Sequence, residues 1–273
     1  MNRTRALILG LAVLAGGLPV AALAFRAAGP NGIGRMMVAP TTLVAGTTGN
    51  ELAFTFVADR SPLRGTTLVE FPRGWSPPQR TRASAPGYVE VKPGQCDGST
   101  RIVAVKTRRV TIATSCRQRR SYQLLYHDVT APVLSADGYI FLVSTRSSAA
   151  GRKAKLRPLG RLKQPVVKVR GGPTVALFVG APSVVTAGTA FSITVRANDA
   201  YGNNAYPYAG TVQLASTDAA ATIPAPYTYG PADAAQHVFA GAILRTPGTQ
   251  RISATDSNGL AAQSGPVMVI QPG

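Results

Sequence analysis

The chain is poor in the residue types from which most catalytic and metal sites are built. Its 273 residues include 2 Cys, 2 His, 1 Trp and only 11 Asp+Glu. So few thiols and imidazoles cannot supply a zinc ribbon, an iron–sulfur cluster or a c-type haem site, and they leave little for acid–base chemistry. We therefore expect a protein without cofactor, metal or enzymatic activity.

Negative charge is scarce as well, whereas positive charge is not. Charged residues make up 15% of the chain, yet 29 Lys+Arg against 11 Asp+Glu leave a net charge of +18. Hydrophobic residues account for 45%, which is typical of a folded chain. The charge imbalance bears on partners rather than on fold, and it favours anionic surfaces.

The N-terminus has the layout of a signal peptide. Arg3 and Arg5 precede an uncharged apolar run, Ala6–Phe25, which is broken by glycines and a proline and contains an A-x-A site at 22–24. This pattern predicts a signal peptide at residues 1–24, with cleavage after Ala24 and a secreted or cell-surface product. An uncleaved anchor remains open, since about 20 apolar residues can span a bilayer.

The remainder shows the period-2 alternation of β-strands, with no sustained helical period. The predicted strands are 52–57, 65–71, 101–105, 109–114, 121–126, 139–145, 165–169, 174–179, 190–197, 211–216, 237–244, 249–256 and 265–270. We expect an all-β chain with an N-terminal linker at 25–39 and two tandem Ig-like β-sandwich domains at 40–170 and 174–273. The Gly-Gly-Pro punctuation at 171–173 marks the boundary.

Charge changes at the same boundary. Residues 25–172 hold 24 Lys+Arg and 7 Asp+Glu, whereas residues 173–273 hold 3 Arg and 4 Asp. The first domain is therefore predicted to be the basic one, with a near-neutral second domain as a spacer.

The two halves resemble known surface modules to different degrees. The second half contains, in order, Ala181-Pro182, Thr186–Val195, Asp199–Asn203, Tyr208–Val212, Ser216–Ala221, His237–Phe239 and Thr246–Gln250. This series resembles bacterial secreted Ig-like repeats over 174–270. The first half, through Ala45–Asn50 and Phe71–Gln79, resembles more loosely an actinobacterial-type Ig-like surface module. The resemblance implies the fold and says little of function, because such repeats occur in adhesins, surface arrays and spacers of extracellular enzymes.

The two cysteines flank a predicted hairpin whose tip lies near Lys106–Arg108. A pairing register in which residue numbers sum to about 213 to 215 brings Cys96 and Cys116 almost opposite each other. In an exported protein this predicts a disulfide across the open end of the hairpin.

Two other groups offer chemistry only weakly. His127 beside Asp128 is the only local His–acid pair in the sequence, but no G-x-S-x-G elbow accompanies it. The segment Asn198–Asn204 contains several oxygen-bearing side chains that could ligate calcium, but only one of them is a carboxylate. The same residues are typical of a tight turn. We expect structural or surface roles for His127 and His237.

The unbalanced cations of the first domain are the main functional candidate. Planar Arg forks suit repeated phosphate or carboxylate groups, so these residues are predicted to bind an anionic cell-wall polymer. The predicted polyanion-binding residues are Lys106, Arg108, Arg109, Arg117, Arg119, Arg120, Arg152, Lys153, Lys155, Arg157, Arg161 and Lys163. Specific nucleic-acid readout is not expected, because no aromatic residues interleave with the later cations.

Together these features predict a secreted, non-enzymatic Ig-like protein of the cell envelope, with membrane contact only through an uncleaved N-terminal segment. A first alternative is a structural stalk or assembly subunit that pairs its strand edges with another envelope protein, the charge being incidental. A second is an accessory domain protein of an extracellular hydrolase system.

Overall fold

A computed structural model describes residues 31–151 and 154–273. The predicted signal peptide, its cleavage site and the start of the predicted linker lie outside this part of the chain, as do Arg152 and Lys153. Within it every regular element is a strand or a short 3₁₀ helix, as the period-2 pattern predicts. No helical segment in these ranges reaches the length and hydropathy that a bilayer crossing requires.

The first sandwich is built from three sheets, with strand orders β1-β3-β8-β5, β11-β10-β4-β7-β6 and β2-β12-β9. Its strands are β1 (Arg35–Ala39), β2 (Thr42–Val44), β3 (Asn50–Val57), β4 (Leu63–Glu70), β5 (Tyr88–Lys92), β6 (Arg101–Lys106), β7 (Arg109–Cys116), β8 (Ser121–Val129), β9 (Ala136–Ile140), β10 (Leu142–Ser147), β11 (Arg157–Pro158) and β12 (Val166–Arg170). Two 3₁₀ helices, Ser148–Ala150 and Arg161–Lys163, lie in its connections.

Strand alternation fills the core of this sandwich with aromatic rings. In β3, Phe54 and Phe56 are fully buried while the residues between them face outward. The ring of Phe54 lies 4.8 Å from that of Phe141, and Trp75 lies 5.0 Å from Phe141 on its other side. Burial of such large rings supplies much of the stabilisation of the domain.

The second sandwich has strand orders β13-β15-β18, β14-β22-β19 and β17-β16-β20-β21. Its strands are β13 (Ala176–Gly180), β14 (Val184–Thr186), β15 (Ala190–Asn198), β16 (Thr211–Ser216), β17 (Tyr227–Thr228), β18 (Gln236–Ile243), β19 (Gly248–Gln250), β20 (Ile252–Asp256), β21 (Ala261–Gln263) and β22 (Val267–Ile270), with a 3₁₀ helix at Pro231–Asp233. Its buried core, which includes Ile193, Val212 and Ile252, is separate from that of the first sandwich. The chain is thus all-β with two β-sandwiches.

The strands differ from the sequence-based ones in more than their limits, since β2, β5, β11, β14, β17 and β21 were not predicted. Three further differences concern predicted segments. Strand β1 lies within the stretch 25–39 that was predicted to be a linker, and it pairs with β3 along its whole length. The single strand predicted at 139–145 is two, because the chain changes sheets at the buried Phe141. The strand predicted at 249–256 is likewise divided at Arg251 into strands of two sheets.

The disulfide prediction is confirmed. Cys96 and Cys116 are bonded, and both are buried. Strands β6 and β7 pair with Ile102 opposite Ile112 and Lys106 opposite Arg109, which is the expected hairpin register. Closing a loop of this length stabilises a fold by about 3 kcal/mol.

The turn Asn198–Asn204, which the sequence offered as a weak candidate for a calcium site, joins the two sandwiches. The carboxylate of Asp199 accepts hydrogen bonds from the backbone N–H of Gly172 (2.8 Å), Tyr201 (2.9 Å) and Asn203 (2.9 Å), and from the Asn203 side-chain amide (2.8 Å). That amide also donates to Val133 O, and its oxygen accepts from Ser135 N–H, both at 2.8 Å. Every oxygen of Asp199 is therefore engaged by protein donors.

Close backbone approach reinforces this junction. A Cβ atom on Gly171 would lie 2.0 Å from the carbonyl oxygen of Asn204, so only glycine fits at that position. The amide of Tyr206 donates to Gly172 O at 3.0 Å, and the Arg170 guanidinium lies 4.2 Å above the centre of the Tyr206 ring. The Gly-Gly-Pro link predicted as punctuation is thus held by the loop of the second sandwich.

Candidate functional site

The predicted polyanion-binding residues lie at two ends of the first sandwich. Strand β7 begins at Arg109, beside the β6–β7 turn, and ends at Cys116, which places the two ends about 24 Å apart. Lys106, Arg108 and Arg109 lie at its start, and Arg117, Arg119 and Arg120 follow its end. We call the region 106–109 the hairpin end and the opposite end of this sandwich, which carries Arg117, Arg119 and Arg120, the basic pole.

At the hairpin end one cation is already paired. The guanidinium of Arg109 donates from Nε to Glu70 Oε2 at 3.0 Å, and its Nη2 also lies 3.0 Å from that oxygen. Lys106 and Arg108 form no ion pair with a described residue. Strand β12, like β6, runs away from the basic pole and towards the hairpin end. The chain therefore leaves the first sandwich at the hairpin end and continues into the second sandwich.

The basic pole consists of the turn at 58–62, the turn at 117–120, the 3₁₀ helix Arg161–Lys163, and Arg35 at the start of β1. Backbone bonds fasten the first two turns, since Ala58 N–H donates to Arg120 O at 3.0 Å. The side-chain amide of Gln118 donates to Arg60 O at 2.9 Å. None of these bonds uses an arginine side chain, and the arginines of both turns are exposed.

The third element of the pole is attached by a salt bridge. Lys163 Nζ lies 2.6 Å from Asp59 Oδ2. The hydrogen bond from Lys163, with further attraction from Arg60 and Arg35, lowers the pKa of Asp59 although burial opposes the shift. Arg35, Arg60 and Lys163 act on this acid, and the other cations of the pole are Arg117, Arg119, Arg120 and Arg161. A strongly positive potential at this end follows from their proximity.

Lys155 and Arg157 line a shallow cleft on the flank of the sandwich, with Asn31 and Arg146 among its other walls. Arg157 belongs to the edge strand β11. Arg152 and Lys153 lie outside the described residues. The predicted set is therefore brought together in part, at the basic pole.

Two acids of the first sandwich lie together on another surface, around His127. His127 lies on the outer face of the β1-β3-β8-β5 sheet, with Nδ1 2.5 Å from Glu51 and Nε2 3.5 Å from Glu90. Asp128, its sequence neighbour, is not its partner. The imidazole of His127 therefore lies between two carboxylates at the surface of the sheet.

His237 packs in the second sandwich among aromatic rings. Its ring stacks on Tyr227 with centres 3.4 Å apart and lies edge-on to Phe239 at 4.8 Å. Among the described residues no cluster of three or more His, Cys, Asp or Glu side chains has the geometry of a metal site.

Three residues of the basic pole were not predicted from the sequence: Arg35, Arg60 and Leu162. Arg35 was assigned to a linker, and Arg60 lies in a short turn with no neighbouring cation in sequence. Arg35 and Arg60 come beside the predicted arginines only through the pairing of β1 with β3 and of 58–62 with 117–120.

Comparison with known proteins gives similarity only at the level of fold. No family model and no curated protein sequence matches the chain. Among solved structures it is similar to the adhesin FdeC of Escherichia coli, with 13% identity and a TM-score of 0.40, over 90% of this chain and 66% of that chain.

Similar values hold for two other bacterial proteins. The adhesin InvE of Yersinia pseudotuberculosis has 11% identity and a TM-score of 0.29, over 86% of this chain and 58% of that one. A Corynebacterium diphtheriae protein described as membrane anchored has 13% identity and a TM-score of 0.28, over 87% and 53%. The chain thus spans about half to two thirds of the length of these three structures.

Proposed function

We propose that the protein is an exported, non-enzymatic protein of the cell surface whose first sandwich binds anionic cell-surface polymers through the basic pole. The observation that carries the proposal is the assembly of four separate chain segments, which hold seven cations and Asp59, at one end of the sandwich. Nothing in core packing requires exposed arginines to gather there, because their side chains make no core contacts.

Binding at the pole would be electrostatic. Guanidinium groups meet two oxygens of a phosphate or carboxylate at once, and repeated anionic units let several arginines engage neighbouring groups of one polymer. Release of condensed counterions adds to the affinity, so binding should weaken steeply as salt rises. The second sandwich acts as a near-neutral spacer behind the pole.

The test compares two variants that remove equal charge. The probe is immobilised poly(glycerol phosphate) teichoic acid, titrated with the purified chain over a salt series. The pole variant Arg117→Ser/Arg120→Ser is expected to lose about tenfold in affinity at low salt, from roughly 0.7 kcal/mol per exposed cation. The hairpin variant Lys106→Ser/Arg108→Ser is the matched control and should bind almost as tightly as the unchanged chain. Equal losses in both variants would contradict the proposal.

A second candidate function, assembly through a strand edge, is favoured by β18. This strand closes the β13-β15-β18 sheet, contains no charged residue or proline, and exposes half of the Val238 side chain. Edge strands of this kind are templates for pairing with another chain. Edge strand β6, by contrast, contains Arg101 and Lys106 and receives a guanidinium contact from Arg80 to Ile102 O at 3.5 Å. On β18 the residues before Ile243 are the open ones, because Ile243 pairs with Thr222.

Sedimentation over a concentration series tests assembly. If β18 pairs with a second copy, the unchanged chain should associate as concentration rises, and Val238→Lys should remain monomeric. Val103→Lys on the protected edge is the control and should behave as the unchanged chain. A chain that is monomeric at every concentration would rule out self-assembly through β18.

A further inference from the structure

The 3₁₀ helix of the basic pole displays a leucine to solvent. Leu162 is 99% exposed and is flanked by Arg161 and Lys163. An isolated exposed leucine is common on protein surfaces. This one differs because it stands between two cations, on the most basic part of the molecule.

The turn that carries Leu162 is firmly held. Lys163 N–H donates to Gly160 O at 2.8 Å. The buried side chain of Gln164 accepts from Val143 N–H at 2.7 Å and donates to Val143 O at 3.1 Å and to Leu159 O at 2.9 Å. Leu159, three residues before, is itself buried in the core. The exposure of Leu162 is thus imposed by a fixed turn and does not reflect a loose segment.

The start of the described chain lies against the same turn. Gly32 N–H donates to Pro158 O at 2.9 Å, and the Asn31 side chain approaches Gly160. In the sequence only Arg26–Pro30 separates Asn31 from the apolar run Ala6–Phe25. The described chain therefore begins beside the basic pole and not at the hairpin end.

A soluble polyanion would use the cations of the pole but not Leu162. An anionic bilayer would use both, because headgroup phosphates attract the guanidinium and ammonium groups while a leucine side chain enters the acyl boundary below them. Lys163 and Arg161 are long enough to reach phosphates when Leu162 is inserted.

We propose that the basic pole docks on a bilayer of anionic phospholipid, with Leu162 inserted and the surrounding cations on the headgroup phosphates. The inference rests on the proposed function, since it assigns a lipid surface as a ligand of the same pole. Leu162 is the inserted residue, and Arg161 and Lys163 are its flanking headgroup contacts.

The test measures partition of the purified chain onto phosphatidylcholine vesicles with and without phosphatidylglycerol. Leu162→Ser should lower partition onto the phosphatidylglycerol vesicles about tenfold, as expected for losing the burial of one leucine. Leu134→Ser is the matched control, because Leu134 is 62% exposed and lies outside the pole. It should leave partition unchanged. High salt should weaken binding but preserve the ratio between Leu162→Ser and the unchanged chain, since insertion is not screened.

Two outcomes separate this inference from the proposed function. If Leu162→Ser partitions as well as the unchanged chain while Arg117→Ser/Arg120→Ser loses binding to vesicles and to teichoic acid, insertion is wrong and polyanion binding stands. If the pole double variant binds both probes as tightly as the unchanged chain, both ideas are wrong. As an independent readout, Leu162→Trp should show a blue shift of its emission on phosphatidylglycerol vesicles, and no shift would overturn insertion.

Discussion

The two sandwiches use their charged residues in opposite ways. In the second, all four acids, Asp199, Asp218, Asp233 and Asp256, accept hydrogen bonds from backbone amides and thereby fasten loops. In the first, most acids pair with side chains at the surface, as Glu70 does with Arg109, and the cations outnumber them. Charge in the second sandwich is structural, whereas among the cations of the basic pole only Lys163 is paired with an acid in the described structure.

This difference is the reason to look for binding at the basic pole. A carboxylate that fastens a loop is needed for folding whatever the protein binds. Exposed cations held close together oppose folding slightly through mutual repulsion, which a bound anion would relieve. The variants below test each half of this contrast.

The largest effect is expected at Asp218. Its carboxylate accepts from Arg245 N–H (2.6 Å), Thr246 N–H (3.0 Å), Ala220 N–H (3.0 Å) and the Thr246 hydroxyl (2.6 Å), and the residue is buried. Asp218→Ala should lower the free energy of unfolding by about 3 kcal/mol, because buried amides lose their acceptor. Urea unfolding measures it.

Asp137→Ala is the contrasting control for Asp218→Ala. Asp137 is exposed and contacts Lys168 at 2.5 Å on the surface. Its removal should produce no measurable change in urea unfolding. If both variants lost the same free energy of unfolding, the proposed difference between the two sandwiches would be wrong.

Acid should destabilise the second sandwich through the same residue. Burial acts to raise the pKa of Asp218, but the Thr246 hydroxyl and three backbone amides outweigh it and lower the pKa from 3.8 to about 2. Because the folded-state pKa is the lower one, the stabilisation is complete above pH 3.8 and is lost as pH falls towards 2. It amounts to about 2 kcal/mol. Unfolding measured from pH 5 to pH 2 should show this loss in the unchanged chain, and a flat profile would contradict it.

An intermediate effect is expected at Asn203, the residue that links the sandwiches. Asn203→Ala removes the bonds to Asp199, Val133 and Ser135, and should cost about 1 to 2 kcal/mol. It should also open the junction to protease near 171–173, which limited proteolysis followed by mass spectrometry detects. Asn258→Ala, in a turn distant in sequence from the junction, is the control. Unchanged cleavage would mean that Asn203 is not needed to hold the two sandwiches together.

The smallest effect on folding is expected at the pole. Arg117→Ser/Arg120→Ser should change the free energy of unfolding by less than about 0.5 kcal/mol, in either direction, since neither side chain is paired in the described structure. Thermal unfolding measures it. A large loss would show that these arginines are structural and would remove the reason to seek an anion.

The sequence predicts the fold well because alternation and turn residues are local signals. The strands at 52–57, 101–105 and 109–114 appear close to their predicted limits, and the hairpin register places Cys96 beside Cys116. The change of sheet at Phe141 leaves no local signal, because a buried aromatic continues the strand pattern without a break.

The site is predictable only in part for a different reason. Sequence proximity suggests that Arg109 and Arg117 act together, yet an eight-residue strand carries them to opposite ends of the sandwich. Conversely, Arg60 and Arg120 lie far apart in sequence and are brought to the same end of the sandwich by backbone bonds between Ala58 and residues 119–120. The role of Asp199 in the junction also depends on long-range contacts that a turn motif does not reveal.

The most direct test of the account is to locate the bound polymer by NMR. Poly(glycerol phosphate) would be titrated into the ¹⁵N-labelled chain at low salt, with backbone amide shifts followed throughout. We predict that the shifts concentrate at 58–62, 117–120 and 161–163 and reverse when salt is added. Shifts concentrated at 106–109, or in the second sandwich, would contradict the claim that the basic pole is the binding surface.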